Sequence, residues 1–172
     1  MKDELERLYQ TTYASVVRFL YRKVWDADRA EDLAQEVFIR AMAHRPEKPR
    51  AWVFAVAANL ARDEARSAIR RRRHLTLLTN EPSMLSTPET PADEAVEHDE
   101  RVGQVKEALS ELSNRDREVL LLWDAGLSYP EIAEQSGLAV GAVGTTLARA
   151  RKRLIETYDR QEAGRKQHAA HS

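Results

Sequence analysis

The sequence contains no cysteine, and aromatic residues make up only 6% of its 172 positions. The lack of cysteine excludes disulfide bonds, thiolate metal sites and thiol redox sensing by this chain. No apolar run approaches the length of a membrane-spanning helix, and we expect no signal peptide. The five histidines are scattered along the sequence, so we expect no metal and no cofactor. Together these absences favour a cytoplasmic protein.

Charge is abundant but segregated along the chain. Charged residues make up 32% of the sequence, although the formal net charge is only −1. Residues 62–73 contain six arginines, whereas residues 76–100 contain seven acidic residues and no lysine or arginine. The C-terminal stretch is basic again, so the pattern predicts an anionic partner that is contacted twice. Many charges and few aromatic residues also favour amphipathic helices over a β-sandwich.

A pair of helices is predicted in residues 128–154, SYPEIAEQSGLAVGAVGTTLARARKRL. Ser128 and Glu131 have the spacing of a capping box at a helix N-terminus. Ala133 is small enough for two helices to cross closely, and Gly137 supplies the positive φ that a tight turn needs. This spacing is typical of a helix-turn-helix, although a helical bundle with a solvated basic end would also fit.

The outward face of the second helix in that pair carries small side chains first and cations after them. It consists of Ala142, Thr145, Thr146, Arg149, Lys152 and Arg153. A helix in the major groove brings small or polar groups to base edges and cations to phosphates. These residues are therefore the candidate contacts to duplex DNA.

The N-terminal half is predicted to form three helices. Apolar residues recur at three- and four-residue steps over about residues 2–24, 29–43 and 50–74. Asp28 is the expected N-cap of the second helix. Two prolines in residues 44–49 predict a loop before the third helix.

Two outward faces in this half are candidate binding surfaces. The second helix shows Asp32, Gln35 and Glu36 on the side opposite its apolar residues. The third helix carries a narrow stripe that begins with an aromatic residue and continues with an amide and cations: Trp52, Asn59, Arg62, Arg66, Arg70 and Arg73. A solvated helix face would also explain a basic stripe, and Trp52 is equally compatible with a place in the core.

The composition after the third helix is that of a linker, with three prolines, many hydroxyl side chains and the seven acids. The sequence thus predicts an all-α protein with two small helical domains joined by a flexible acidic linker. We place the first domain at residues 1–75, the linker at 76–98 and the second domain at 99–158. Residues 159–172 are expected to form a disordered tail.

Three segments in this order resemble the extracytoplasmic-function (group 4) sigma factors of the sigma-70 family. AEDLAQEVFIRAM (30–42) is similar to region 2.2, and AWVFAVAANLARDEARSAIRRRR (51–73) is similar to regions 2.3 and 2.4. Residues 112–154 are similar to region 4, and the resemblance covers about residues 5–157. It implies a region 2 bundle of three to four helices and a four-helix region 4, in a factor that directs core RNA polymerase to promoters.

The resemblance also implies roles for the candidate residues. Asp32, Gln35 and Glu36 align with positions that bind the clamp helices of the polymerase β′ subunit, and region 4 binds the β flap in this family. Residues implied to read and melt the minus-ten element are Trp52, Asn59, Arg62, Arg66 and Arg70. The outward face of the helix-turn-helix aligns with contacts to the minus-thirty-five element. The family is commonly controlled by an anti-sigma factor, often membrane-bound, and needs no small-molecule substrate.

The sequence departs from the common family pattern at two positions of the predicted recognition helix. Gly144 stands where many members carry arginine or lysine, and Thr146 stands where a longer polar side chain is frequent. We therefore expect readout of the minus-thirty-five element to depend on threonine contacts, Arg149 and DNA shape.

Two alternatives to an initiation factor follow from the residues. One is a sigma-like helix-turn-helix regulator that binds DNA without initiating transcription. The other is an enzyme such as a metal-dependent nuclease. The acidic residues lie on predicted helix surfaces and in the linker, not in a convergent pocket, so we expect no enzyme.

If the chain is an initiation factor, its relaxed linker of roughly 25–30 Å is shorter than the roughly 70 Å between promoter elements. Weak promoter binding alone and tight binding with polymerase are therefore predicted.

Overall fold

The computed structural model describes residues 2–78 and 94–172, with side chains from residue 98 onward in the second range. Every regular element in these two ranges is an α-helix, which confirms the predicted all-α class. The helices are α1 (Lys2–Val24), α2 (Ala27–His44), α3 (Pro49–Leu78), α4 (Glu94–Ser110), α5 (Asn114–Asp124), α6 (Tyr129–Ser136) and α7 (Val140–Ala170). The chain divides into two compact units, the first built on α1–α3 and the second on α4–α7. None of the described helices is both long and apolar enough to cross a membrane.

The core of the first unit forms where α1, α2 and α3 meet. Its fully buried side chains include Val16 and Leu20 of α1, Val37 of α2 and Val53 of α3. Phe19 packs edge-on against Phe54 with ring centroids 5.7 Å apart, so the aromatic pair joins α1 to α3. The apolar spacing predicted these helices, and the aromatic pair orients them.

The start of α2 differs from the prediction by two residues. Asp26, not Asp28, is the N-cap, and its Oδ1 accepts a hydrogen bond from the Arg29 backbone N–H at 3.0 Å. Trp25 adopts a positive φ of 57° immediately before the cap. This reversal directs the chain from α1 into α2 earlier than the sequence indicated, and it leaves Asp28 in the first turn. An acidic residue there still interacts favourably with the helix dipole.

The boundaries of the acidic linker also differ from the prediction. Helix α3 continues to Leu78 and α4 begins at Glu94, so both ends of the expected linker, 76–98, are helical. The middle of that linker, residues 79–93, lies outside the described residues. Helical ends are reasonable because neither 76–78 nor 94–98 contains proline or glycine.

The second unit contains four helices around a core of aliphatic side chains. Leu109, Leu122, Ile132, Val143 and Leu147 are buried there, one or more from each helix. The α6–α7 pair has the predicted turn, because Gly137 ends α6 with φ 73° and donates its N–H to the Ala133 carbonyl at 3.0 Å. A residue with a Cβ would be strained at that φ.

The prediction of a disordered tail at residues 159–172 is wrong for nearly all of that segment. Helix α7 continues without interruption to Ala170, 31 residues from its start. The sequence of the tail contains no proline, and Arg165 pairs with Glu100 of α4 while Arg160 pairs with Glu111 just beyond it. These pairs could not be foreseen from the tail alone, since their partners lie much earlier in the chain.

Candidate functional site

The outward face of α2 is polar and partly engaged with its neighbours. Asp32 and Gln35 are exposed, whereas Glu36 is half-buried and pairs with Arg40 one turn later. The Gln35 side chain hydrogen-bonds the Tyr13 phenol of α1, whose pKa is raised mainly by burial. The three predicted residues therefore share one accessible surface, which can meet basic groups on a partner.

A charge cluster that the sequence did not reveal joins the beginning of α2 to the middle of α3. Arg29 Nη2 lies 2.8 Å from Glu64 Oε2, and Arg71 Nη2 lies 3.5 Å from Glu64 Oε1. The hydrogen bond from Arg29 holds the pKa of the Glu64 carboxyl below its ordinary value. Arg71 is thereby tied to its own unit, unlike the exposed arginines of the stripe. Sequence separation hid the cluster, because Arg29 and Glu64 are 35 residues apart.

The predicted stripe on α3 is largely exposed. Asn59, Arg62, Arg66 and Arg70 are all accessible, and Arg73 continues the exposed row. Arg62 Nη1 donates to Asn59 Oδ1 at 3.1 Å. Since this bond uses the amide oxygen, the Asn59 NH₂ group can donate to an acceptor on an incoming base. The cations on either side can bind phosphates.

Trp52, at the head of the stripe, is half-buried and lies against a ring that the sequence reasoning missed. His44 stacks on Trp52 with ring centroids 5.1 Å apart and planes inclined by 10°. In the sequence between these two residues, Arg45 ends α2 in the left-handed conformation with φ 50°. The stack closes the base of the loop between α2 and α3. Only the position of His44, at the end of a helix and just before two prolines, could have indicated it.

The helix-turn-helix of the second unit has the capping box that the sequence predicted. Ser128 Oγ accepts from the Glu131 N–H at 3.4 Å, and Glu131 Oε2 accepts from the Ser128 N–H at 2.7 Å. These two bonds satisfy backbone donors that would otherwise have no partner at the start of α6. The cap therefore fixes where α6 begins relative to α7.

Most of the predicted recognition face on α7 is accessible, but one member is not. Thr145, Arg149, Lys152 and Arg153 are exposed, and Ala142 is half-buried. Thr146 is only 5% exposed, so its assignment to the DNA-facing surface is wrong. The reason is angular: Thr146 follows buried Val143 by three residues and precedes buried Leu147, which places it on the core side of the helix.

Arg149 is held by a buried acid that the sequence did not identify. Its Nη2 lies 3.1 Å from Oδ1 of Asp116 on α5. The hydrogen bond to Asp116 raises the pKa of the exposed Arg149 guanidinium. Asp116 is itself anchored, since its backbone N–H donates to Ser113 Oγ at 3.1 Å. The α5 helix thus fixes the direction in which Arg149 leaves α7.

Gly144, one of the two departures from the family pattern, lies beside Tyr129 at the start of α6. A Cβ added at Gly144 would lie 3.4 Å from Cε2 of the Tyr129 ring, an ordinary van der Waals contact. The structure therefore does not explain why glycine stands at this position.

Each unit matches one established sequence family. The Sigma-70 region 2 family matches residues 8–73, and the Sigma-70, region 4 family matches residues 103–154. The RNA polymerase sigma factor YlaC of Bacillus subtilis is 26% identical over 159 residues, covering 89% of this chain and 91% of that protein. The ECF RNA polymerase sigma factor SigL of Mycobacterium tuberculosis is 34% identical over 151 residues, covering 83% and 82%.

The fold is also similar to solved structures. The sigma factor RpoE of Bartonella quintana, in its co-crystal with the anti-sigma factor NepR, superposes with a TM-score of 0.65 at 25% identity. That match covers 92% of this chain and 98% of RpoE. CnrH, in complex with the cytosolic domain of CnrY, has the same TM-score of 0.65 at 23% identity.

Two helical units, one with a basic stripe and one with a helix-turn-helix, define a DNA-binding protein of the transcription machinery. The chain belongs to the ECF sigma factors of the sigma-70 family, initiation factors that direct RNA polymerase to promoters.

Proposed function

We propose that each of the three outward surfaces has a separate role in promoter recognition. The α2 face of Asp32, Gln35 and Glu36 binds the clamp helices of the polymerase β′ subunit. The α3 stripe captures the melted minus-ten strand, and the recognition face of α7 reads the minus-thirty-five element. The observation that carries the proposal is that Asp32, Asn59 and Thr145, one from each surface, are all exposed on helices whose opposite sides are buried.

The minus-ten role follows from the chemistry of the stripe. A melted strand presents base edges and phosphates at the same time, and Asn59 and Arg62 offer an amide donor beside a guanidinium. Arg66 and Arg70 extend this row of positive charge along the helix. Trp52 has one ring face covered by His44, so its contribution is to end the stripe with a fixed aromatic edge.

The minus-thirty-five role is carried by Thr145, Arg149, Lys152 and Arg153, with Ala142 at the start of the helix. Thr145 is near the N-terminal end of α7, where a recognition helix meets base edges. The cations follow on the same helix and suit phosphates. Thr146 is left out of this surface because of its burial.

Regulation and location complete the proposal. RpoE of Bartonella quintana is bound by an anti-sigma factor in its crystal structure. We propose that an anti-sigma factor likewise holds this chain, which acts in the cytoplasm where polymerase and promoter DNA are found. We also propose that the chain is not an enzyme.

Charge reversal on α2 tests the docking surface. We expect Asp32→Arg to lower the affinity for sigma-free core polymerase by about tenfold or more, because a desolvated interfacial charge pair becomes a repulsion. Glu4→Arg, at an exposed position on α1 and so away from the α2 face, is the control and should bind core normally. Circular dichroism checks that both variants fold. Equal affinities for both variants would remove α2 from the docking surface.

Two nearby arginines on α3, one inside the stripe and one outside it, provide a test of the minus-ten surface. Arg70 lies in the stripe, whereas Arg72, two residues on, points to the other side of the helix. With polymerase bound, Arg70→Ala should weaken binding of a single-stranded minus-ten oligonucleotide several-fold more than Arg72→Ala. Asn59→Ala should weaken discrimination between bases rather than the salt dependence. If Arg72→Ala has the larger effect, the stripe is wrongly placed.

A further inference from the structure

The second half of α7 runs antiparallel to the first half of α4 and is joined to it by polar contacts at successive levels. Arg165 Nη1 lies 3.7 Å from Glu100 Oε2 near the start of α4. With the Gln104 amide assigned to the orientation that satisfies both of its polar atoms, its oxygen accepts from the same Arg165 at 2.7 Å and its NH₂ donates to Tyr158 Oη at 3.3 Å. We call residues 158–170 of α7 the strap. The strap covers most of the segment, 159–172, that the sequence predicted to be disordered.

The root of the strap is anchored just beyond the end of α4. The buried Thr157 hydroxyl donates to Glu111 Oε2 at 3.2 Å, and Arg160 Nη1 lies 3.8 Å from the same carboxylate. From here outward, each further contact lies nearer to the N-terminus of α4. The first helix of the second unit and its last helix therefore close on each other like a hairpin.

Few of the apolar side chains that the structure describes in this hairpin are fully buried. The last fully buried apolar side chain of α7 is Ala150, before the strap begins. Among the described side chains of α4, the first fully buried apolar one is Ala108, and Val102 and Val105 are only half-buried. Gly103, with open space around its Cα, further weakens this half of α4 as a helix.

One buried group opposes closure of the strap. Both side-chain polar atoms of Gln161 are buried without a hydrogen-bond partner in the described structure. Burying an amide without a partner is unfavourable. Gln104 and Thr157 contribute hydrogen bonds from buried side chains, whereas the other described contacts are ion pairs with exposed partners, which salt screens. Because the unpaired Gln161 amide offsets part of this stabilisation, a small net free energy holds the strap closed.

We propose that the strap and residues 94–104 of α4 form a separate low-stability unit that opens while the helix-turn-helix stays folded. Both parts lie outside the segment that matches the region 4 family, residues 103–154, except for Gly103 and Gln104. Each part is held chiefly by the other, so loss of one releases both.

When the strap and residues 94–104 open, the segment that connects the two DNA-binding units becomes longer. This consequence rests on the proposed function. Residues 94–104 rise about 1.5 Å per residue as a helix and about 3.3 Å per residue when extended. Release of this half of α4 therefore adds up to about 20 Å of reach. That is more than half of one turn of DNA, about 34 Å. Opening of the strap thus increases the largest separation that the chain allows between its two DNA-binding units, while polymerase fixes the spacing within that limit.

Hydrogen exchange of the full-length chain tests whether the unit exists. We expect the amides of 94–104 and 158–170 to exchange together and faster than those of α6. Arg165→Ala should speed exchange in both segments about two- to fivefold, the effect of one exposed ion pair with its hydrogen bonds. Lys166→Ala is the matched control, because among the side chains that the structure describes Lys166 pairs within α7, with Glu162 at 3.8 Å.

The buried amide provides a test in the opposite direction. Gln161→Leu removes the unpartnered polar group and should slow exchange in both segments. Added salt should speed exchange in the wild-type chain more than in Arg165→Ala. Exchange of the two segments at unrelated rates, or at the rate of α6, would overturn the proposal. So would an effect of Arg165→Ala that is confined to the strap.

Promoter spacing tests the consequence for reach. With polymerase bound, Arg165→Ala should raise transcription from a promoter whose spacer is one or two base pairs too long, relative to Lys166→Ala. Unchanged spacer preference, with exchange altered as expected, would show that the unit opens but does not set the reach. If the wild-type chain supports no promoter-specific transcription, the proposed function fails, and the exchange result stands by itself.

Discussion

On α7, the exposure of a side chain, and not its position in the sequence alone, determines whether it can contact a partner. Thr145 and Thr146 are adjacent and chemically identical, yet the first is exposed and the second is 5% exposed. Similarly, Arg149 is positioned by Asp116, whereas Arg151 lies over the Trp123 ring with Cζ 4.9 Å from its centroid. Neighbouring side chains of one type therefore have different surroundings.

The threonine pair gives a direct prediction. Thr145→Val should weaken polymerase-dependent binding to the minus-thirty-five element by about 1–3 kcal/mol, because a hydroxyl contact to a base is lost. Thr146→Val should leave that affinity unchanged, since the side chain is buried and the replacement has nearly the same shape. Competition binding with promoters altered at single minus-thirty-five positions measures both. A larger loss for Thr146→Val would contradict the assignment.

Gly137 is the residue on which the helix-turn-helix geometry depends most directly. Gly137→Ala should destabilise the second unit by about 1–2 kcal/mol, because alanine is strained at the φ of 73°. Gly141→Ala is the control, since Gly141 is helical with open space around it and should be neutral or stabilising. Thermal unfolding of the second unit compares them. Equal melting temperatures for the two variants would contradict a strained turn.

At the scale of elements, the Arg29–Glu64–Arg71 cluster fixes α2 against α3. In the proposed function, this contact relates the polymerase-binding face of one helix to the minus-ten stripe of the other. The Glu64 side chain is 19% exposed, so its charge is more sensitive to its partners than those of the surface pairs.

The cluster predicts a pH dependence. The pKa of Glu64 is lowered in the folded state, so the stabilisation is fully present above the unfolded value of about 4.3. It is lost as pH falls further, through the folded pKa. Glu64→Gln should therefore destabilise the first unit by about 1 kcal/mol at pH 7, with the difference shrinking towards pH 3. Chemical denaturation followed by NMR signals of α1–α3 measures this. Asp63→Asn controls for loss of one carboxylate, and a pH-independent difference for Glu64→Gln would contradict the coupling.

At the scale of the whole molecule, the two units carry separate DNA-binding surfaces. Fully extended, residues 79–93 would reach about 50 Å, whereas two promoter elements two helical turns apart are separated by about 70 Å. A tether of this kind does not by itself hold two domains at a fixed spacing. Polymerase, which binds both units in the proposed complex, sets the spacing instead.

This arrangement predicts that the free chain and the holoenzyme bind DNA very differently. At physiological salt the isolated chain should give no footprint over a full promoter, whereas the holoenzyme should protect both elements. Footprinting with increasing salt measures the difference, because backbone contacts weaken steeply with salt. A full promoter footprint by the isolated chain would contradict the role given to polymerase.

The sequence by itself determined the features that depend on local chemistry. Apolar periodicity specified the helices, and the Ser128–Glu131 cap and Gly137 turn specified the helix-turn-helix, because each involves residues within one or two turns. The candidate faces on α2 and α3 followed from the same periodicity. Tertiary structure decided the rest: the Asp116–Arg149 pair, the Glu64 cluster and the helical strap. All of these depend on which distant segment packs against a residue, and short-range spacing carries no information about such contacts.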